Sequence, residues 1–329
     1  MSNTPVPPPK TLKVIVTGAS GVLGNAILRA FQRASQDSGY KYSTLGLGLA
    51  HSRPGPGLKA FDLLDEVATQ QAIEEFAPNW VIHCAAERRP EVVEKNPENT
   101  QKLNGELPGR LAALAIKHNF VLMHVSSDYI FDGLSPPYSP SSTPNPVNLY
   151  GRTKLGGEKG VLGHAPASGP TKLHILRVPV LYGPAANNSD SAVNVLVDVV
   201  RDQTGKTYKM DHYANRFPTN VLDIAGWLVR VTQHPKPLPP ILHYSAGEPF
   251  TKYEMCLIFA RLLNLPHAHI IPETEAPTGP TVTLRPKDSQ LSVLETDALG
   301  IEGGLGLGGF EEWWDGWFKS GEWAGYIQS

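Results

Sequence analysis

Residues 12–17, Leu12-Lys-Val-Ile-Val-Thr17, form an apolar β-branched run that feeds directly into glycines at positions 18, 21 and 24. A strand that ends in such a turn, with a helix starting inside it, leaves the chain few architectures. Gly18 permits a tight turn, Gly21 lets a backbone come close to a pyrophosphate, and Gly24 lets the helix pack against the strand. The opening turn of that helix offers free N–H groups and the positive end of its dipole to phosphates. A glycine pattern alone says little. Here the strand before it and the helical pattern after it, over residues 25–34, supply the context that gives it meaning.

The same alternation continues. Residues 43–49, 59–62, 80–85, 121–126 and 174–182 read as strands, and residues 67–76, 103–118 and 148–161 as helices. Nearly continuous apolar strands separated by helices predict an α/β fold: a doubly wound parallel sheet of the Rossmann type, covered on both faces. Residues 135–146 are rich in Ser and Pro and read as a loop. Beyond residue 182 the pattern is less regular, with a helix over 192–201 and a strand returning to the sheet near 241–245. The expected division is a disordered proline-rich tail (1–10), a dinucleotide-binding domain (11–182), a smaller α/β lobe interleaved with it (183–310) and a tryptophan-rich tail (311–329). Residues 303–309 are dense in glycine, and Trp313, Trp314, Trp317 and Trp323 follow. Tryptophans both fill cores and anchor interfaces; the glycine framing favours a partly exposed tail that meets a partner.

Other classes are excluded by composition. Acids and bases are mixed along the chain for a net charge of -2, so no basic block predicts a nucleic-acid groove. No apolar run has membrane-spanning length, and Pro5 to Pro9 is no signal peptide, so the expected location is the cytoplasm. The two cysteines, Cys84 and Cys256, read as free thiols, and the eleven histidines show no ligand spacing, so no metal is expected.

The end of the second strand bears on cofactor choice. NAD binders commonly place an acid there for the ribose hydroxyls. This chain has His51-Ser52-Arg53 and no acid. A guanidinium fork beside a hydroxyl suits a 2′-phosphate, so the expected cofactor is NADP. Asp62 and Leu63, after the third strand, are placed by topology near the adenine.

Tyr150 and Lys154 are four residues apart and share one helix face. A free tyrosine has a pKa of about 10, and a nearby ammonium favours its phenolate. Tyr-x-x-x-Lys is common by chance; its position after the strand bearing Ser126 and Ser127 gives it weight, with Ser127 placed to hold a substrate oxygen. Arg88 and Arg89 follow the fourth strand at the sheet edge where ligands bind. Arg216 lies between the lobes, Cys84 reads as a small apolar lining residue, and Asn104 sits on the long helix before the site.

Together these residues resemble a known family, the extended short-chain dehydrogenase/reductases. The runs Ser126-Ser-Asp-Tyr-Ile-Phe-Asp-Gly133, Asn148-Leu-Tyr-Gly-Arg-Thr-Lys154 and Arg285-Pro-Lys-Asp-Ser289 resemble the dTDP-4-dehydrorhamnose reductase branch. Within it, His83-Cys-Ala-Ala-Glu-Arg-Arg-Pro-Glu-Val-Val-Glu94, Met210-Asp-His-x-x-x-Arg216-Phe-Pro-Thr219 and Thr251-Lys-Tyr-Glu-Met255 are similar to the regulatory β subunits of methionine adenosyltransferases. The resemblance implies an NADP-binding, reductase-like subunit that joins the catalytic subunit of that enzyme. It implies cofactor contacts at Gly18, Ser20, Gly21, Val22, Leu23 and Gly24, at His51, Ser52 and Arg53, and at Asp62, Leu63, Cys84, Arg88, Tyr150, Lys154 and Leu181. A catalytic set of Ser127, Tyr150 and Lys154 is implied for the reductase alternative, acting on a 4-keto nucleotide sugar. Two departures stand out. Relatives often carry two basic residues where this chain has Ser52-Arg53, which implies a weaker grip on phosphate. The β subunits dock a carboxy-terminal tail into their partner, and Trp313, Trp314, Trp317, Trp323 and Tyr326 do not match that tail.

Overall fold

Strand β1 (Lys10–Thr17) is buried at four successive residues, Val14 to Thr17. Side chains alternate across a strand, so such a run needs cover on both faces. The computed structural model, which describes residues 10–37, 40–49, 57–279 and 283–321, supplies that cover. Next come α1 (Val22–Asp37), β2 (Tyr40–Gly48), β3 (Leu58–Ala60), α2 (Glu66–Phe76) and β4 (Trp80–His83). Two short helices, α3 (Pro90–Lys95) and α4 (Pro97–Thr100), lead through a π-helical segment (Gln101–Glu106) into α5 (Leu107–His118). Then β5 (Val121–Ser127), α6 (Leu149–Leu162) and β6 (Leu173–Val178) complete the repeating part.

After β7 (Leu181–Tyr182) the elements are α7 (Val195–Arg201), β8 (Tyr208–Asp211), β9 (Thr219–Asn220), α8 (Val221–Gln233), β10 (Ile241–His243), α9 (Lys252–Leu263), β11 (Ile270–Glu273), α10 (Leu294–Asp297) and α11 (Phe310–Ser320). The central sheet has seven strands in the order β10-β6-β5-β4-β1-β2-β3. Every pairing within it is parallel. This is the doubly wound Rossmann-type sheet the alternation predicts, and β10 is the strand that returns late in the chain. Phe31, Trp227, Leu228 and Tyr244 pack on one face under α1 and α8. Ile73, Leu111, Ala115 and Val161 pack on the other under α2, α5 and α6.

Two small parallel sheets, β7 with β9 and β8 with β11, stand apart from the main one. Around them Tyr182, Phe259, Phe310 and Trp314 form a separate aromatic cluster. α9 opens with a capping box: Thr251 accepts from the Glu254 N–H, and the Glu254 carboxylate accepts from the Thr251 N–H.

Several expectations are corrected. Lys10 belongs to β1, not to the tail, and residues 1–9 lie outside the described residues. The strand expected over 174–182 breaks at Pro179, and Leu181 joins β9 instead of the main sheet. Proline has no N–H to give the ladder, so the break has a direct cause. The helix expected over 103–118 is π-helical up to Glu106 and α-helical only beyond it. The helix expected over 192–201 starts at Val195. The tail is also corrected in part: Trp314 is 1 % exposed and belongs to the core. Trp323 and Tyr326 lie outside the described residues.

Among the described residues, no helix is long and apolar enough to cross a membrane, and no group of His, Cys, Asp or Glu is arranged to hold a metal.

Candidate functional site

The glycine turn leaves no room for side chains. Gly18 has φ +65°, and a Cβ there would lie 2.7 Å from the Ala85 nitrogen. A Cβ on Gly24 would lie 2.2 Å from the Gly18 carbonyl oxygen, so α1 is seated directly on the turn. The Gly21 N–H donates to Gly18 O at 2.9 Å and closes it. At Gly21 itself an added Cβ would meet only Gly18 O, at 3.3 Å. Ser20 accepts from the Leu49 N–H at 3.4 Å, tying the turn to the end of β2. Val22 and Leu23 open α1, whose first N–H groups have no intrahelical acceptor. That geometry fits a dinucleotide diphosphate. His51, Ser52 and Arg53 lie outside the described residues.

Asp62 and Leu63 are held in a tight turn. The Asp62 carboxylate accepts from the Leu64 N–H at 2.9 Å. Leu63 O accepts from Thr69 Oγ1 at 3.2 Å and from an Arg110 N–H at 3.0 Å. Both residues stand at the same edge of the sheet as the glycine turn, since β3 pairs with β2 and β2 with β1.

Ser127, Tyr150 and Lys154 come from the end of β5 and the start of α6. Asn148 caps α6 by accepting from the Gly151 N–H at 2.8 Å, which fixes where the helix begins. Lys154 is 2 % exposed and donates to Val125 O at 2.7 Å. Burial pulls its pKa down to about 8, against the pull of Glu158 and Cys84. Burial also pushes the Tyr150 phenol up, and the neighbouring Ser127 hydroxyl works the other way, helped by Arg88. The expected phenolate is therefore not what these residues alone produce: the Lys154 ammonium is engaged with a backbone carbonyl. Ser127 donates to Asp128 Oδ1 at 3.0 Å and accepts from the Tyr129 N–H at 3.2 Å. The Tyr129 ring meets the Tyr150 ring edge-on, with centroids 5.8 Å apart.

Loop residues after β4 complete the surroundings. Arg88 donates to Ser189 O at 3.1 Å, spanning from the main sheet to the loop after β7. Arg89 turns away and grips Glu87 through its Nε and Nη2 at 2.9 and 2.8 Å. Asn104, on the π-helical segment, pairs with the Glu87 peptide, accepting its N–H at 3.0 Å and donating to its carbonyl at 2.9 Å. Cys84 is half-buried, and burial pushes its thiol up to about 12, consistent with an inert lining residue. Leu181 starts β7, and its carbonyl accepts from Ser191 Oγ at 2.7 Å.

The structure adds Asp128, Lys252 and Ser289, which the sequence did not single out individually, and gives Arg216 its surroundings. Asp128 is 3 % exposed, burial pushes it up to about 6, and Ser289 donates to its Oδ2 at 2.5 Å. Arg216 is 4 % exposed and bonds Asn215 O at 2.9 Å and Asp211 Oδ2 at 3.3 Å. Lys252 is half-buried at the start of α9, and burial together with Arg285 and Arg216 pulls its pKa down to about 8. Each of these residues lies in a run that carries the family resemblance (126–133, 210–219, 251–255 and 285–289), but nothing local says which run touches which.

A parallel doubly wound sheet, a glycine turn at the carboxyl end of β1, and a Ser127, Tyr150 and Lys154 set from the end of β5 and the start of α6 are the features of the extended short-chain dehydrogenase/reductase class. The model of the RmlD substrate binding domain family matches residues 12–303. The methionine adenosyltransferase 2 subunit beta of Xenopus tropicalis is 41 % identical over 292 residues, 88 % of this chain and 83 % of that protein. A dTDP-4-keto-6-deoxy-D-glucose reductase of Streptomyces niveus is 28 % identical over 78 % of this chain and 81 % of its own length. Among solved structures, a dTDP-4-dehydrorhamnose reductase of Bacillus anthracis in complex with NADP aligns with TM-score 0.74 at 22 % identity, covering 94 % of this chain and 98 % of that one. The chain belongs to the RmlD substrate binding domain family and, within it, to the methionine adenosyltransferase subunit beta group.

Proposed function

We propose that this chain is an NADP-binding regulatory β subunit that associates with the catalytic subunit of a methionine adenosyltransferase and modulates S-adenosylmethionine synthesis in the cytoplasm. The observation that carries the reading is the 41 % identity to a protein named as that subunit, over 88 % of this chain. The cofactor part rests on the turn at Gly18 and Gly24, where an added Cβ would collide with backbone and which seats the start of α1 at the end of β1. In this reading the N–H groups of Ser20, Val22 and Leu23 face the diphosphate, Gly21 lets it come close, and Asp62 and Leu63 face the adenine. Cys84, Arg88 and Leu181 line the nicotinamide half, and Lys154 and Tyr150 hold its ribose. The preference for NADP over NAD rests on Ser52 and Arg53 in the sequence. Residues 11–182 carry the cofactor, and 183–310 form the lobe over it.

Mixing the purified chain with the catalytic subunit at micromolar concentration and separating by size tests the partner reading. One early-eluting complex is expected; two separate peaks reject it. Titrating NADPH against NADH by calorimetry tests the cofactor reading, with tighter binding of NADPH expected.

A second reading, a reductase of a 4-keto nucleotide sugar, is favoured by one observation: Ser127, Tyr150 and Lys154 are all present, with the Ser127 hydroxyl against the Tyr150 phenol and Lys154 on the same helix bonded to Val125 O of the strand that bears Ser127. Bound NADPH would supply a hydride; Tyr150 would supply the proton and Ser127 a hydrogen bond to the carbonyl oxygen. Loss of NADPH absorbance with a panel of keto sugars, abolished in Tyr150→Phe, would establish it, and no loss with the intact chain would dismiss it.

A further inference from the structure

α9 commits only part of its surface to the core. Met255, Cys256, Phe259 and Ala260 are buried in the aromatic cluster. A second face is left open. Leu257 and Ile258 on it are half-buried, as are Phe250 before the helix and Leu265 after it. With Pro249 and Pro266 they line a groove of about 820 Å³. Residues 254, 257, 258 and 261 all border it, three or four apart, so it follows one side of the helix. The charged groups on that side are already engaged. Glu254 closes the capping box, and Arg261 holds Glu311 through two nitrogens, each at 2.6 Å. What remains to be covered is apolar, and a concave apolar surface of this size marks a contact.

α11 says what can reach it. Glu311, in its first turn, is bonded to Arg261 on the groove's border. Phe318, in its last turn, meets Phe259, the sequence neighbour of Ile258, with centroids 6.1 Å apart. Both ends of α11 therefore stand beside α9. At Gly321 φ is +71°, the left-handed cap that turns a chain off its helix. Residues 322–329, Glu322-Trp-Ala-Gly-Tyr-Ile-Gln-Ser329, follow and lie outside the described residues. A segment of that length spans roughly 26–29 Å when extended, against about 16 Å for the whole of α11, so it can return to the Arg261 end. Trp323, Tyr326 and Ile327 are three and four residues apart, and one helical turn would put all three on one face. A segment tethered this closely sees the groove at an effective concentration on the order of millimolar, which a separate chain at micromolar concentration does not match.

We propose that residues 322–329 fold back on their own chain and seat Trp323, Tyr326 and Ile327 in the groove of α9, a latch that covers this face of the smaller lobe. The mode is that of an apolar segment laid into a hydrophobic groove. The latch stands on α9 and α11 alone, so it holds whether or not the cofactor and partner readings hold.

Amide hydrogen exchange of the full chain, read by mass spectrometry, tests the proposal. In the unaltered chain the amides of 322–329 should exchange at least about tenfold more slowly than an unstructured peptide of the same sequence. Ile258→Asp and Leu257→Asp in the groove, and Trp323→Ser in the segment, should each return them to the unstructured rate. Exchange in β1 and β5, read in the same spectra, should stay unchanged and show that the variants are folded. Ile116→Asp, at an exposed position on α5, should leave the protection of 322–329 intact. Protection should be equal at about 1 and about 50 µM protein, as a contact within one chain requires. Unstructured exchange in the unaltered chain, or full protection surviving both groove variants, overturns the latch. Protection that rises with protein concentration assigns the groove to a second copy and overturns it too, as does protection that appears only after a catalytic subunit is added.

Discussion

A methyl group on Gly24 would sit 2.2 Å from Gly18 O and 2.9 Å from the Ala19 Cα, both backbone positions that cannot swing aside. Gly24→Ala must therefore lift α1 from the turn. It is expected to cost about 1–3 kcal/mol of stability, the usual range for overpacking. NADPH affinity should fall at least tenfold, because the helix N-terminus no longer meets the diphosphate. Calorimetry and urea unfolding read the two effects separately, and unchanged affinity would remove the turn from the cofactor site. Lys154 supports a pH prediction. Its folded pKa, about 8, lies below the ordinary lysine value of 10.5, so between these values the unfolded chain binds more protons. Stability must then rise with pH through that window, and the penalty is fully present only below it. Compared with Lys154→Met, the unaltered chain should gain on the order of 1–3 kcal/mol between pH 8 and pH 10.5, given the size of that shift. Unfolding curves at the two pH values measure this, and a constant difference between the proteins would show that the ammonium is not desolvated.

At the scale of elements, α6 carries two adjacent glycines with opposite expected behaviour. A Cβ on Gly157 would come within 2.4 Å of Asn104 O, whereas one on Gly156 would meet only Gly105 Cα, at 3.7 Å. Gly157 thus lets α6 approach the π-helical segment, and that approach sets how deep Tyr150 and Lys154 sit. Gly157→Ala should destabilise by about 1–3 kcal/mol. Gly156→Ala should be neutral or stabilising by up to about 1 kcal/mol, because alanine favours helix and nothing obstructs it. Thermal melts of both variants test the pair, and equal effects would refute the close-approach argument. The sequence shows both glycines but not which one faces a neighbour. The same limit explains the other misread elements. Nothing in the residues of 103–106 announces the π-helical start, and Asn104 there is bonded to the Glu87 peptide, 17 residues away, which no local pattern reveals. Strand 12–17 was legible because its context is local: apolar residues, then glycines. Pro179 is visible in the sequence, but the apolar residues on either side of it read as one continuous strand.

Across the whole molecule, legibility fades with sequence separation. Tyr150, Lys154 and Ser127 could be read because 23 to 27 residues and one loop separate them. Asp128 and Ser289 are 161 residues apart, and no local pattern announces their bond. The glycines of 303–309 are similar: their density suggested a flexible frame, but they wrap a guanidinium. Arg230 on α8 donates to Gly304 O at 3.1 Å, and a Cβ on Gly306, at φ +69°, would lie 3.1 Å from its Nη2. Gly308 N–H donates to Asp223 at 3.0 Å, and Tyr244 Oη to Leu305 O at 2.6 Å. This clasp delivers α11 to the aromatic cluster, where Trp314 packs on Phe259 with centroids 4.6 Å apart and on Tyr182 at 5.8 Å. Trp314→Ala should therefore cost about 3–5 kcal/mol, the range for an emptied aromatic core position. Trp314→Phe should cost markedly less, for a specific reason: the indole N–H is buried with no partner among the described residues, so losing it relieves a desolvation penalty while much of the packing stays. Neither change should alter NADPH affinity below the unfolding transition, since this cluster is distinct from those on the main sheet. Urea unfolding with calorimetry decides it: an unshifted midpoint in Trp314→Ala would return α11 to the status of a peripheral tail.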